Sequence, residues 1–123
     1  GIQYDSTVYE RKLLHPDYHP LALPRLVRKG VIEVPLHVMD ATLFSARGMG
    51  FDLPDARDYT RRLVRRAADL RRAIVVDLHS NHYSCQSPDA KGWYDALLGE
   101  LTGRSDVFVT DLAGLLGRIE RPA

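Results

Sequence analysis

The chain has 123 residues, of which 45% are hydrophobic and 27% charged, a size and composition typical of one globular domain rather than a disordered segment. Its 17 Lys and Arg residues nearly balance 16 Asp and Glu residues, and a formal net charge of +1 argues against a dedicated nucleic-acid binder. No stretch approaches the ~18 apolar residues of a membrane span. The single cysteine excludes an internal disulfide and a zinc site built from several cysteines.

The first half of the chain predicts two strands separated by irregular segments. Residues 2–5 form a short extended piece, and residues 31–38 are rich in β-branched side chains, with Pro35 making that strand irregular or placing it at an edge. The proline-containing residues 11–29 predict a loop with at most one short helix, over residues 20–29. Residues 40–53, which include two glycines, predict a second loop.

The second half of the chain predicts alternating helices and strands. Apolar residues spaced by three and four indicate a helix over residues 54–72, and the apolar run 73–79 is typical of a strand buried on both faces. A helix that starts at residue 87 or 88 and stops at Gly103, a strand over 106–110 and a helix over 111–119 follow. Strands that alternate with helices pair in parallel through right-handed crossovers, so the sequence predicts a single α/β domain over residues 1–123.

The helix predicted over residues 54–72 carries arginine pairs away from its apolar stripe, at positions 61–62, 65–66 and 71–72. Such a basic face either contacts phosphates or an anionic polymer, or is simply solvated. The balanced net charge favours the solvated face.

Polar side chains follow the predicted strands where each strand ends. They are Asp5 in the first strand, His37 and Asp40 in the second, Asp77, His79 and His82 in the third, and Thr110 and Asp111 in the fourth. The carboxyl ends of parallel strands lie on one face, where α/β proteins bind their ligands. We therefore expect the functional site on that face.

His79 is the leading candidate in this set because it directly follows the most apolar run of the chain, on a rigid strand end. A partly buried imidazole near carboxylates suits general acid catalysis near neutral pH, and the alternative is a core histidine with a backbone partner. His82, three residues later, is either a metal ligand or a structural residue. Asp40 either orients a catalytic histidine or caps the turn that it opens, whereas Asp111 is expected to cap the last helix.

Three further residues have a functional and a structural interpretation. Tyr83 and Trp93 are candidates for an aromatic wall against a sugar ring, but Trp93 is better explained as the anchor of its helix. Cys85 lies near His82, yet nothing in the sequence identifies a group that would activate its thiol.

Several segments together resemble a known family. They are GIQYDST at residues 1–7, VIEVP at 31–35 with Met39 and Asp40, LHSNHY at 78–83, and DVFVT at 106–110. In this order and spacing they are similar to the second half of a polysaccharide deacetylase domain of the NodB-homology, carbohydrate esterase family 4 type. The resemblance implies an α/β chain of parallel strands alternating with helices that forms about half of a distorted (β/α)7 barrel. It also implies a hydrolase that removes acetyl groups from sugar polymers with a divalent metal, commonly zinc.

The resemblance also implies roles for particular residues. His79 matches the catalytic histidine that acts as general acid towards the leaving group, and Asp40 corresponds to the late carboxylate that supports catalysis. Leu78 is expected to line the acetyl pocket, with His82, Tyr83 and Asp5 expected to contact the substrate.

The family's catalytic base, its metal-binding Asp and two His, and its Arg motif all belong to segments upstream of the one that resembles residues 4–7. Gly1 is therefore expected to lie inside a longer fold, with the chain as the C-terminal part of the domain. We expect no metal bound by this chain alone and no activity from it alone. The expected partners are a carbohydrate polymer and, at an exposed sheet edge, the missing N-terminal half or a second copy of the chain.

Two alternatives compete with this hypothesis. The first is a non-catalytic carbohydrate-binding or structural module that uses Tyr83, Trp93 and the arginine face. The second is a small self-contained metal hydrolase whose ligands are His79, His82 and Asp77.

Overall fold

The structure is a computed structural model that describes residues 3–5, 16–18, 21–28, 30–83 and 87–119. The strands among these residues are β1 (Gln3–Asp5), β2 (Arg25–Arg28), β3 (Val31–Glu33), β4 (Val38–Met39) and β5 (Val76–Asp77). The α-helices are α1 (Asp40–Phe44), α2 (Leu53–Leu70), α3 (Pro88–Thr102) and α4 (Leu112–Ile119), and a short 3-10 helix covers Pro16–Tyr18. A further helical turn lies at residues 80–83.

The described strands form two small sheets. In the first, β3 lies between β1, to which it is parallel, and β2, to which it is antiparallel. In the second, β4 and β5 are parallel, with Val38 opposite Val76 and Met39 opposite Asp77. The parallel pairing predicted for the strands is therefore confirmed for β1 with β3 and for β4 with β5, while the half-barrel stays a prediction.

The structure differs from the predicted strands and loops in five places. The strand predicted over 73–79 as buried on both faces is reduced to the two residues of β5, because its partner β4 is itself only two residues long, and residues 73–78 are half-buried. The run 31–38 is divided around Pro35 into β3 and β4, because a proline cannot continue the ladder of N–H donors. The helix predicted over 20–29 is wrong, since β2 forms there and pairs with β3. The loop predicted over 40–53 opens with α1. The strand predicted over 106–110 is wrong, since these residues form no strand and Phe108 and Val109 are exposed. The Arg118 guanidinium lies over the Phe108 ring, 3.4 Å from its centre.

The three long predicted helices are confirmed as α2, α3 and α4, and the ends of each have a local cause. Asp52 accepts a hydrogen bond from the Asp55 N–H at 2.9 Å at the start of α2, and Ser87 accepts one from the Ala90 N–H at 3.3 Å before α3. Asp111 Oδ1 accepts from the Gly114 N–H at 2.8 Å, so the cap predicted for the last helix is confirmed. Of these described helices, none is sufficiently long and apolar to span a membrane.

The hydrophobic core lies between α2, α3 and β4. The apolar stripe of α2, including Leu63 and Ala67, is buried against the fully buried Trp93 of α3 and Val38 of β4. The Trp93 indole N–H donates to the buried hydroxyl of Thr60 at 2.9 Å, which satisfies the one polar atom of that side chain. Trp93 is therefore the anchor of its helix, and the alternative of a sugar-stacking wall does not hold for it.

His37, which directly precedes β4, joins two separate segments of the chain. This residue is buried, its Nδ1 accepts a hydrogen bond from the Val75 N–H at 2.9 Å, and its Nε2 lies 3.1 Å from the Ala22 carbonyl oxygen. Because a backbone N–H can only donate and a carbonyl can only accept, the imidazole carries its proton on Nε2. The backbone N–H of His37 also donates to the Val75 carbonyl at 3.0 Å, which fixes the approach of β4 to β5.

Candidate functional site

The second sheet brings Asp40 and His79 to the same edge. Asp40 directly follows β4 and His79 comes two residues after β5, and the parallel register aligns Met39 with Asp77 at the ends of these strands. The predicted meeting of polar residues at a strand-end face is therefore present for these two residues. No strand forms before Thr110 and Asp111, and Asp111 caps α4 instead.

Asp40 is fully buried and accepts four hydrogen bonds. Oδ1 accepts from the Ala41 N–H at 2.7 Å and lies 2.6 Å from His79 Nδ1. Oδ2 accepts from the His79 N–H at 3.0 Å and lies 2.8 Å from His82 Nδ1. An ionised carboxylate only accepts, so both imidazoles carry a proton on Nδ1 and donate it to Asp40.

The hydrogen bonds of Asp40 decide its charge. Burial opposes ionisation, but the donors from His79, His82 and the two backbone N–H groups outweigh it and hold the pKa of Asp40 below its ordinary value. Asp40 is therefore the ionised, accepting partner of both histidines at neutral pH. Asp40 accepts the Ala41 N–H where α1 opens and also orients His79 and His82, so it has both a local and an orienting role, and the catalytic role of the histidine stays a prediction.

The pKa of His79, the partner of Asp40, is shifted in the opposite direction. The hydrogen bond to Asp40 raises the pKa of His79 above its ordinary value, against a smaller opposing effect of burial, and the charges of Asp40 and Asp77 add to the rise. The His79 side chain is 44% exposed, so solvent or a ligand reaches it. This combination produces an accessible imidazole that is protonated over a wider pH range than a free histidine.

His82 joins the pair through a helical turn. Residues 80–83 form this turn, in which the backbone N–H groups of His82 and Tyr83 donate to the His79 carbonyl at 3.0 and 3.2 Å. The ring centroids of His79 and His82 are 5.3 Å apart, and the His82 side chain is 30% exposed. Two imidazoles therefore share one buried carboxylate.

Tyr83 connects this turn to α3. Its hydroxyl donates to Asp95 at 3.0 Å, Lys91 binds the other oxygen of Asp95 at 2.7 Å, and the Lys91 ammonium lies 4.9 Å from the centre of the Tyr83 ring. Sequence reasoning missed Lys91 and Asp95, although their spacing of four residues on a helix indicates an ion pair. The Tyr83 side chain is 38% exposed, and its ring packs edge-to-face against Tyr94 of α3 with the centroids 6.1 Å apart.

The other predicted site residues are distributed as follows. Leu78 is half-buried and packs against the hydrophobic core, and Asp5 ends β1, with its side chain outside the described part of the structure. Cys85 lies outside the described residues. His15 and His19, which the sequence indicates to be surface residues of the predicted loop and not site residues, also lie outside them. His37 is buried and bound to the backbone of Ala22 and Val75, and it does not join Asp40.

Two arginines of the basic face of α2, Arg61 and Arg62, bind carboxylates of neighbouring elements, as does Arg57 near the start of the same helix. Arg57 and Arg61 bind Glu100 of α3 at 3.2 and 2.6 Å, and Arg62 binds Asp17 at 2.8 Å. The side chains of Arg61 and Arg62 are 53% and 34% exposed, so these ion pairs lie at the surface, in agreement with the predicted solvated face.

The group of described side chains with metal-ligand chemistry is Asp40, His79 and His82, which offer one carboxylate oxygen and two imidazole nitrogens within 4.8 Å of one another. The sequence-based alternative named Asp77 as the carboxylate of such a group, whereas the structure assembles it with Asp40. A carboxylate with two imidazoles can perform acid–base chemistry or bind a divalent transition metal.

No protein-family model, curated protein or solved structure matches this chain.

Proposed function

We propose that this chain is the C-terminal part of a carbohydrate deacetylase-like hydrolase, in which His79 is the general acid and Asp40 holds it in position. The observation that carries the proposal is the 2.6 Å hydrogen bond between His79 Nδ1 and the fully buried Asp40. It fixes the ring so that Nε2, at the opposite end of the imidazole, is the nitrogen available to a substrate.

The chemistry of deacetylation requires a proton for the departing amine or alcohol. His79 can donate that proton from Nε2 while its Nδ1–H stays on Asp40, whose negative charge stabilises the imidazolium. The raised pKa of His79 keeps a larger fraction of the ring protonated near neutral pH. These features support the acid role.

The remaining requirements are an activated water and a stabilised oxyanion, which a divalent metal, commonly zinc in the family that this sequence resembles, supplies when bound. We propose that its ligands lie in the upstream part of the parent domain. In this proposal Asp40 holds His79 in position to donate a proton, so neither residue is a ligand of the metal that takes part in the reaction.

The proposed substrate is an acetylated sugar polymer. Tyr83 and His82 follow His79 closely in the chain and are partly exposed, and we propose that they contact the sugar. Leu78 is the proposed lining of the acetyl pocket, and Asp5, which ends β1, is a further proposed substrate contact. Among the described residues β5 pairs with β4 alone, so its other edge is the proposed docking place for the missing half or for a second copy.

The test begins with the full reading frame that contains this chain. An Asp-Asp pair and an HxxxH-like pair upstream are the expected metal and base residues, and their absence would remove the deacetylase proposal. With the full protein, release of acetate from N-acetylated oligosaccharides is measured with and without His79→Ala.

The expected result is a fall in kcat of about 10²-fold or more for His79→Ala, the range for loss of a general acid. His15→Ala is the control because it removes a histidine from a predicted surface loop, and it should leave kcat unchanged. Equal activity of the wild type and His79→Ala would contradict the proposed role.

A further inference from the structure

We propose that Asp40, His79 and His82 also form a binding site for one divalent transition-metal ion, such as Zn²⁺ or Co²⁺. The inference rests on the geometry of the cluster and not on the proposed deacetylase activity, which uses His79 and Asp40 and gives His82 no part in proton transfer. The metal-bound and the hydrogen-bonded cluster are two alternative states of the same three side chains.

The donor set suits late first-row metals. Two imidazole nitrogens and one carboxylate oxygen are the ligands of many zinc sites that keep a fourth position for water, and here they lie within 4.8 Å of one another. The residues come from α1 and from the turn after β5, so the β4–β5 pairing assembles the set before any ion arrives.

The distances between the three side chains agree with a tetrahedral ion of the size of Zn²⁺. Two imidazoles on one tetrahedral zinc, with Zn–N bonds of about 2.0 Å, have ring centroids about 5 Å apart. The centroids of His79 and His82 are 5.3 Å apart. The Nδ1-to-carboxylate distances of 2.6 and 2.8 Å would open to about 3.3 Å around a tetrahedral ion, so the cluster needs to expand by about half an ångström.

The surroundings provide charge and access. Asp40 is fully buried and anchored by the backbone N–H groups of Ala41 and His79, so its oxygen atoms are held in place and its charge compensates the cation. The two imidazoles are 44% and 30% exposed, which leaves an open side for the ion to enter and for a water ligand. A divalent ion would take the place of the two Nδ1 protons that now point at the carboxylate.

The experiment is a titration of the metal-free protein with Co²⁺ alone, followed in the visible region where tetrahedral cobalt absorbs strongly. We expect saturation at one Co²⁺ per chain and loss of the absorption when Zn²⁺ is added. His82→Ala should weaken Co²⁺ binding about tenfold or more, because it removes a ligand and leaves the His79–Asp40 pair intact.

Asp77→Asn is the matched control, because Asp77 is a carboxylate at the end of β5 that does not belong to the three-residue set. The Co²⁺ affinity of this variant should stay within about threefold of the wild-type affinity. Circular dichroism checks the fold of each variant. If His82→Ala does not fold, ¹H–¹⁵N spectra of the wild-type imidazoles replace it: Zn²⁺ should shift the ring signals of His79 and His82 and leave those of His37 in place.

Three outcomes would overturn the metal site. They are the absence of saturable one-to-one Co²⁺ binding, equal Co²⁺ affinity of the wild type and His82→Ala, and ring signals of His79 and His82 that do not shift with Zn²⁺. None of these outcomes bears on acetate release by the full protein. Conversely, a His79→Ala variant with full deacetylase activity would end the proposed function and leave the cobalt result standing.

Discussion

Asp40 shows how one side chain organises a whole site. Its burial would make a charge costly, but four donors surround its two oxygen atoms. Two of these donors are backbone N–H groups, which cannot be rearranged without moving α1 or the chain after β5. The carboxylate is therefore both a structural link between these segments and the group that sets the tautomer of both histidines.

Replacement of Asp40 by Asn tests the structural part of this role. The amide keeps one acceptor oxygen but places an NH₂ group against donors, so at least one buried hydrogen bond is lost. We expect the free energy of unfolding to fall by about 1–3 kcal/mol, measured by urea denaturation. Asp77→Asn, at the end of the adjacent strand, should cost less, and equal losses in the two variants would contradict the special position of Asp40.

At the scale of elements, α2 and α3 are joined by an apolar interface and by a charged link at its margin. Glu100 of α3 accepts hydrogen bonds from both Arg57 and Arg61 of α2. The bond from Arg61 is the main cause that lowers the pKa of Glu100, assisted by Arg57 and opposed by partial burial. The ionised form of Glu100 is therefore the form that favours the folded state.

This shift has a definite sign in the pH dependence of stability. A carboxyl whose folded pKa is lowered contributes stability above its unfolded pKa of about 4.3 and loses it as the pH falls through the folded value. Glu100→Gln should therefore be less stable than the wild type at pH 7, and the free energies of unfolding of the two proteins should converge in acid. Urea midpoints at pH 7, 5 and 3 measure this, with the exposed Asp69→Asn as control; a constant difference at all three pH values would argue against the charged link.

At the scale of the whole molecule, the described core depends on contacts between segments far apart in sequence. One ring nitrogen of His37 binds the backbone of Ala22 and the other binds the backbone of Val75. These bonds connect the segment before β2 to the residue that directly precedes β5. Because Asp40 directly follows β4 and His79 lies two residues after β5, the same contact helps to fix the sheet that positions the candidate site.

His37→Leu keeps an apolar side chain but removes both hydrogen bonds. We expect the Val75 amide to exchange with deuterium faster than in the wild type and the free energy of unfolding to fall by about 1–3 kcal/mol. The partly exposed His82→Ala should leave exchange at Val75 unchanged. Unaltered protection of Val75 in His37→Leu would show that β5 is held without this link.

Much of the helical structure could be predicted from the sequence because its signals are local. The period of the apolar residues in α2 and the capping residues Asp52, Ser87 and Asp111 act within a few positions of the backbone groups that they serve. Strand composition is a weaker guide. Val107 to Val109 have the composition of a strand, but in the structure they lack strand pairing, whereas Arg25–Arg28 lie in the predicted loop and pair with β3.

The sequence by itself determined the residue types of the candidate site and the chain positions of His79 and Asp40 after apolar runs. Only the tertiary structure decided that Asp40, rather than Asp77, is the carboxylate shared by His79 and His82. It also decided that His37 is buried against the backbone of Val75 and that Trp93 is buried away from solvent. The physical reason is that helix periodicity and caps depend on near neighbours in the chain. Strand register and the donors around a buried carboxylate depend instead on residues about forty positions apart, which come together only when β4 pairs with β5.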